Sequence, residues 1–157
     1  MKPFKEALEE ATIYEDLIAN WLESRGNKIL FRSKEKEFDI QYLTVDGKTK
    51  TIEVKYDKLS SETGNVAIEF KRKEKKSEKF EATGISVTTA NYWVHIVDEF
   101  DVYIIDREIL LMQIQSNGYP QVFGGDDMRT KMHLIDKQEF AEMCKVYKNA
   151  LYGGLVS

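Results

Sequence analysis

The chain has 157 residues, is 42% hydrophobic and 32% charged, and carries a formal net charge of -4. That balance fits one domain over residues 1–157 with a buried core and argues against disorder. No apolar run approaches the roughly 18 residues needed to span a bilayer, and the first residues carry no signal core. Cys144 is the only cysteine, so an internal disulfide or a cysteine metal cluster is excluded and a cytoplasmic protein is expected.

Apolar residues at Leu8, Ala11, Ile18 and Leu22 recur at helical spacing and predict a first helix over 3–25, stopped by Gly26-Asn27. A strand is expected from about Glu37 to Thr44, with Phe38, Ile40 and Tyr42 on one face and Glu37, Asp39 and Gln41 on the other. Val45-Asp46-Gly47-Lys48 signals a hairpin into a second strand, Lys50 to Asp57. A third strand, Val66 to Lys71, follows Gly64-Asn65, and the run from Lys71 to Lys79 reads as a basic loop. Thr83-Gly84-Ile85-Ser86 suggests a short helix or turn, with an N-cap preferred over a phosphate site. Two apolar strands, Tyr92–Val97 and Val102–Ile105, precede a helix from Asp106 to Ser116 ended by Asn117-Gly118. Gly124 to Asp127 reads as a loop, Lys131 to Ile135 as a short strand, and Lys137 to Tyr152 as a closing helix. The fold class is α/β: a mixed sheet containing an antiparallel meander, flanked by helices.

Within the second strand, period two places Glu53 and Lys55 on one face, about 7 Å apart. Asp39 lies on the polar face of the preceding strand. Asp39, Glu53 and the Val54 carbonyl form an all-oxygen donor set suited to Mg²⁺. Such an ion lowers the pKa of a water and neutralises phosphate charge; Lys55 could orient or deprotonate that water, or stabilise the transition state. A solvent-facing hairpin with charged cross-strand pairs is the competing reading. Sharing a face requires Asp39 to pair with Glu53 or Lys55, so the hairpin must have an odd-length loop or a bulge. Glu15 falls on the apolar stripe of the first helix, where a carboxylate needs a ligand or an ion pair, for instance Lys55. Glu69, on the polar face of the third strand, would join Glu53 and Lys55 if that strand pairs with the second. It would then be an extra ligand, a group tuning Lys55, or a plain charge partner.

The series Glu15-Asp16-Leu17-Ile18, Leu22-Glu23-Ser24-Arg25-Gly26, Phe38-Asp39-Ile40 and Ile52-Glu53-Val54-Lys55 resembles the PD-(D/E)XK nuclease superfamily. Its closest pattern is that of the archaeal-type Holliday junction resolvases. The likeness covers residues 15–55. It implies a restriction-endonuclease-like core, with Glu15, Asp39 and Glu53 gathering Mg²⁺ or Mn²⁺ and Lys55 serving the nucleophilic water. It further implies a DNA endonuclease, with a homodimer as an option. Separately, the size of the chain suits a viral (phage) or mobile-element enzyme. A non-catalytic nucleic-acid-binding module with the same fold is the alternative. This chain departs from the resolvase pattern in the segment from Lys58 to Lys79 and in about 50 residues beyond Asp106.

Charge distribution supports a nucleic-acid partner despite the net sign. Residues 26–80 carry 14 Lys/Arg against 10 Asp/Glu. Lys71, Arg72, Lys73, Lys75 and Lys76 are the candidate DNA contacts, with a solvated loop as the plainer reading. His95 and His133 sit in apolar strands and read as core histidines, and two histidines without a spaced partner make zinc improbable. Cys144 reads as buried filler.

Overall fold

The computed structural model describes residues 4–35, 37–125 and 127–153, with residues 4–9 as helix backbone only. The Leu8 side chain and Asp126 lie outside the described residues. Helix α1 (Phe4–Ser24) buries Leu17, Ile18, Ala19 and Leu22. Ala11, expected on the same stripe, is exposed. The helix ends in a Schellman motif: Gly26 N–H donates to Glu23 O and Asn27 N–H to Leu22 O, with Gly26 at φ 93°.

Three strands follow: β1 (Lys28–Arg32), β2 (Ile40–Leu43) and β3 (Thr49–Tyr56). β1 was not anticipated. It is an edge strand with Leu30 and Phe31 exposed, so it shows no alternation. The β2–β3 hairpin closes at Thr44 N–H to Lys48 O, 2.7 Å, around the three residues Val45, Asp46 and Gly47. Gly47 sits at φ 88°, which the tight turn requires. The loop is therefore odd, and the register Ile40↔Ile52 through Leu43↔Thr49 has the even parity that brings Asp39 towards Glu53.

The next elements are a short α2 (Ser60–Thr63), β4 (Asn65–Lys73), β5 (Phe80–Ala82), a 3-10 turn at Gly84–Ser86, β6 (Tyr92–Val97) and β7 (Asp101–Asp106). They are followed by α3 (Arg107–Asn117), β8 (Gln121–Gly124), β9 (Thr130–Asp136), α4 (Lys137–Met143) and β10 (Lys145–Tyr147). Asp106 caps α3, its Oδ1 accepting from Glu108 N–H at 2.8 Å.

Six strands form a mixed sheet in the order β1-β2-β3-β6-β7-β10, with β3 and β6 parallel. Four strands form an antiparallel second sheet, β5-β4-β9-β8. One face of the mixed sheet (Ile40, Ile52, Val54, Val94, Ile96) packs on α1. The other (Trp93, Val97, Tyr103, Ile105) meets Val66, Ile68 and Ile135 of the second sheet, with Leu110 and Phe140. Each fully buried Ile or Leu contributes about 2 kcal/mol.

Three readings are corrected here. The third strand does not pair with the second. β6, with Trp93, Val94, His95 and Ile96 all buried, takes that place; a strand carrying Glu69 and Lys71 would bury charge there. The basic run is the end of β4 and the turn that leads into β5 at Phe80, rather than a loop throughout. The closing helix stops at Met143. Cys144 is extended (φ -106°, ψ 160°), and Val146 and Tyr147, a β-branched and an aromatic residue, pair with β7 instead.

Candidate active site

β2 begins only at Ile40, opposite Ile52, so the edge of β3 beyond Ile52 is left without a strand neighbour on that side. Asp39 fills the gap with its side chain: Oδ2 accepts from Val54 N–H at 2.7 Å. The N–H and C=O of one strand residue point to the same edge, so the Val54 carbonyl is directed to this open edge as well. α1 brings Glu15 over it. Glu15, Asp39, Glu53, Val54 and Lys55 together line a cavity of about 390 Å³, with Tyr14, Tyr56 and Lys58 at its wall.

Glu53 is 8% exposed. Its Oε2 lies 3.3 Å from Lys55 Nζ, while Oε1 is buried with no hydrogen-bond partner. Burial raises the Glu53 pKa; the Lys55 ammonium opposes this, and Asp39 and Glu15 add to it. Burial also raises Asp39, against the Val54 N–H, Lys55 and Arg32. Glu15 is pushed up to about 7 by burial and by Asp39, with Arg32 pulling the other way. Burial works against the Lys55 ammonium, but Glu53, Glu69 and Asp39 outweigh it and raise its pKa. Lys55 is therefore a cation at neutral pH, with Nζ 5.9 Å from the centre of the Trp93 ring.

The donor chemistry fits a hard cation. The cavity is lined by four carboxylates, Glu10, Glu15, Asp39 and Glu53, and a carbonyl edge, and one buried carboxylate oxygen is unsatisfied. Among the described residues, no three acidic, imidazole or thiolate groups lie close enough to share one ion in this conformation.

Other expected residues fall elsewhere. The cation nearest Glu15 is not Lys55 but Arg32, whose Nη2 lies 3.9 Å from Oε1 and 2.9 Å from Asp16 Oδ1. Glu69 stands on β4 in the second sheet and reaches Lys55 only through its charge. Lys71, Arg72 and Lys73 are on β4; Arg72 pairs with Asp127 and Lys73 with Glu78. Lys75 and Lys76 are exposed in the turn. Thr83 precedes a three-residue 3-10 turn, yet its hydroxyl makes no cap bond and is buried without a partner. Cys144 is partly buried among apolar neighbours, and burial pushes its thiol up to about 12. His133 stacks on Phe70 at 4.1 Å with Nδ1 unpartnered.

His95 is a satisfied core histidine. Trp93 Nε1–H donates to its Nδ1 at 3.1 Å, which leaves Nε2–H to donate to Asp57 Oδ2 at 2.9 Å. The same Asp57 oxygen accepts from Ala67 N–H of β4 at 2.9 Å. Sequence reasoning missed this network, although Asp57 continues the period-two face of Glu53 and Lys55. It also missed Arg32, which no local pattern marks, and the Tyr14–Tyr56 stack at 3.8 Å.

No family profile matches this chain, and no curated protein matches it. Among solved structures, the fold is similar to that of a bacterial homing endonuclease, I-Ssp6803I, with a TM-score of 0.53 and 16% identity. The match covers 80% of this chain and 75% of that one. The mixed six-stranded sheet flanked by helices is thus a fold shared with a nuclease. Among the described residues, no helix is long and apolar enough to cross a membrane.

Proposed function

We propose that this chain is a divalent-metal-dependent endonuclease that hydrolyses DNA phosphodiesters, built as one PD-(D/E)XK-type domain over residues 1–157. The observation that carries the reading is the convergence of Glu15, Asp39, Glu53 and Lys55 from three elements on one cavity, with Glu53 Oε1 buried and unsatisfied. The fold likeness to a homing endonuclease supports it.

Asp39, Glu53 and the Val54 carbonyl would hold Mg²⁺ or Mn²⁺, with Glu15 as an auxiliary ligand. Such an ion, when bound, supplies Lewis-acid stabilisation of charge on the phosphate. Lys55, held as an ammonium by its acidic neighbours, orients the attacking water and offsets charge on the scissile phosphate, in preference to acting as a base. Glu69 tunes Lys55 from the second sheet. Lys71, Arg72, Lys73, Lys75 and Lys76 bind backbone phosphates. The likeness to junction resolvases favours branched DNA as substrate and a homodimer as the working form.

The test is cleavage of labelled single-stranded, duplex, flap and four-way-junction DNA with Mg²⁺ or Mn²⁺. Glu53→Ala and Lys55→Ala are each expected to reduce turnover about 10²–10³-fold with DNA affinity nearly unchanged. Binding without cleavage of any substrate would instead support a non-catalytic nucleic-acid-binding module. Among the described residues, no three acidic, imidazole or thiolate side chains are already grouped around one point, and that observation favours the second reading.

A further inference from the structure

One face of the second sheet carries a group of side chains that the cavity does not use. In an antiparallel ladder, directly opposed residues share a face. Lys73 opposes Phe80 and Lys71 opposes Ala82 across β4 and β5. Lys71 opposes Lys131 across β4 and β9, and Lys131 opposes Phe123 across β9 and β8. Lys71, Lys73, Lys131, Phe80 and Phe123 therefore lie on one face drawn from all four strands.

Two features of this face cost stability in the free protein. Phe80 and Phe123 are each 40% exposed, their rings 6.1 Å apart and inclined by 26°. Lys71 and Lys131 oppose each other directly, an unfavourable like-charge pair. Among the described residues, neither has a carboxylate within ion-pair distance, whereas Lys73 pairs with Glu78 at 3.0 Å. The ammonium groups lean on the rings instead: Lys71 is 4.6 Å from the Phe80 centroid and Lys131 is 5.5 Å from that of Phe123. Exposed rings interleaved with cations match a polyanion that also has flat apolar faces. That chemistry is an unpaired nucleic-acid strand, in which bases stack and phosphates meet ammonium groups. A duplex hides its base faces.

We infer that this face is a stacking platform for unpaired DNA bases, with Phe80 and Phe123 contacting bases and Lys71, Lys73 and Lys131 contacting the flanking phosphates. The choice of DNA rests on the nuclease reading above. Platform and candidate active site are linked only along β4, where Glu69, whose charge acts on Lys55, and Lys71 stand on either side of a register shift that puts them on opposite faces. The platform selects DNA with a single-stranded arm over blunt duplex.

The test is fluorescence anisotropy in EDTA with three probes: a blunt duplex, the same duplex with a single-stranded tail, and that tail made abasic. Wild-type protein is expected to bind the tailed probe at least about tenfold more tightly than the other two. A 2-aminopurine in the tail should change its emission on binding. Phe80→Leu/Phe123→Leu should remove the preference and the emission change while leaving duplex affinity unchanged. Equal affinity for normal and abasic tails, a result that needs no variant, overturns the platform. So does an unchanged preference in a folded double variant. Cleavage without tail preference leaves the nuclease reading intact and removes this one. Tail preference without cleavage in Mg²⁺ does the reverse.

Discussion

At Glu53, burial and the Lys55 ammonium act in opposite directions, and the same contest runs through Asp39 and Glu15. A carboxylate whose folded pKa is raised binds protons better in the folded state than in the unfolded one. Its contribution to stability is complete below its unfolded value and is lost as pH rises through its folded value. For Glu15 that window runs from 4.5 to about 7. The groups facing it are Asp39, Arg32, Asp16 and Lys55. In EDTA, Glu15→Gln should therefore gain melting temperature relative to wild type as pH rises from 5 to 8, and Mg²⁺ or Ca²⁺ should stabilise wild type more at pH 8 than at pH 5. A constant difference between variant and wild type across that range would show that Glu15 does not titrate against this cluster. Asp57, whose pKa is lowered despite burial because His95 and the Ala67 N–H bond its carboxylate, completes its contribution at lower pH and does not confound the window.

Among the elements, β4 has the most demanding geometry. Its register with β9 shifts between Glu69 and Lys71, and the 3-10 turn presses on that bulge. Gly84 sits at φ 53°, and a Cβ there would lie 2.2 Å from the Glu69 carbonyl oxygen. Only glycine permits both the backbone conformation and the approach. Gly84→Ala should cost about 1–3 kcal/mol in urea unfolding. It should also lower cleavage more than its stability loss explains, because Glu69 would shift against Lys55. An alanine variant as stable and active as wild type would show that the bulge yields freely. The β2–β3 hairpin is as constrained in register, since one residue more or fewer in its loop would turn Asp39 away from Glu53.

For the whole molecule, the joint between the two sheets is polar as well as apolar. Asp57 follows β3, His95 lies on β6 and Ala67 on β4, so one carboxylate oxygen ties the mixed sheet to the second sheet. Asp57→Ala leaves the buried His95 Nε2–H and the Ala67 N–H without their acceptor, at about 2–5 kcal/mol in total. Asp57→Asn, which keeps an acceptor oxygen, should recover much of it. Equal stability of the alanine and asparagine variants would mean that apolar packing alone joins the sheets.

The first helix with its glycine stop, the alternation of β2 and β3, the paired apolar strands β6 and β7, and the capped α3 were legible in the sequence. Each is set by a local rule of period, turn or cap. The residues proposed for catalysis were legible for the same reason: Glu53 and Lys55 share a strand face by period two. The placement of β4 was not legible, because which strand lies beside β3 depends on two-sided burial of β6, a property of partners far along the chain. Nor were the edge strands β1, β5, β8 and β10, which at three to five residues are too short for a period to show. By itself the sequence determined the local elements and a short list of chemically capable side chains. Only the tertiary structure decided that Glu15 meets Arg32, that Glu69 acts across two sheets, and that Asp57 joins them, because burial and Coulomb interactions depend on distance in space, which periodicity along a chain does not contain.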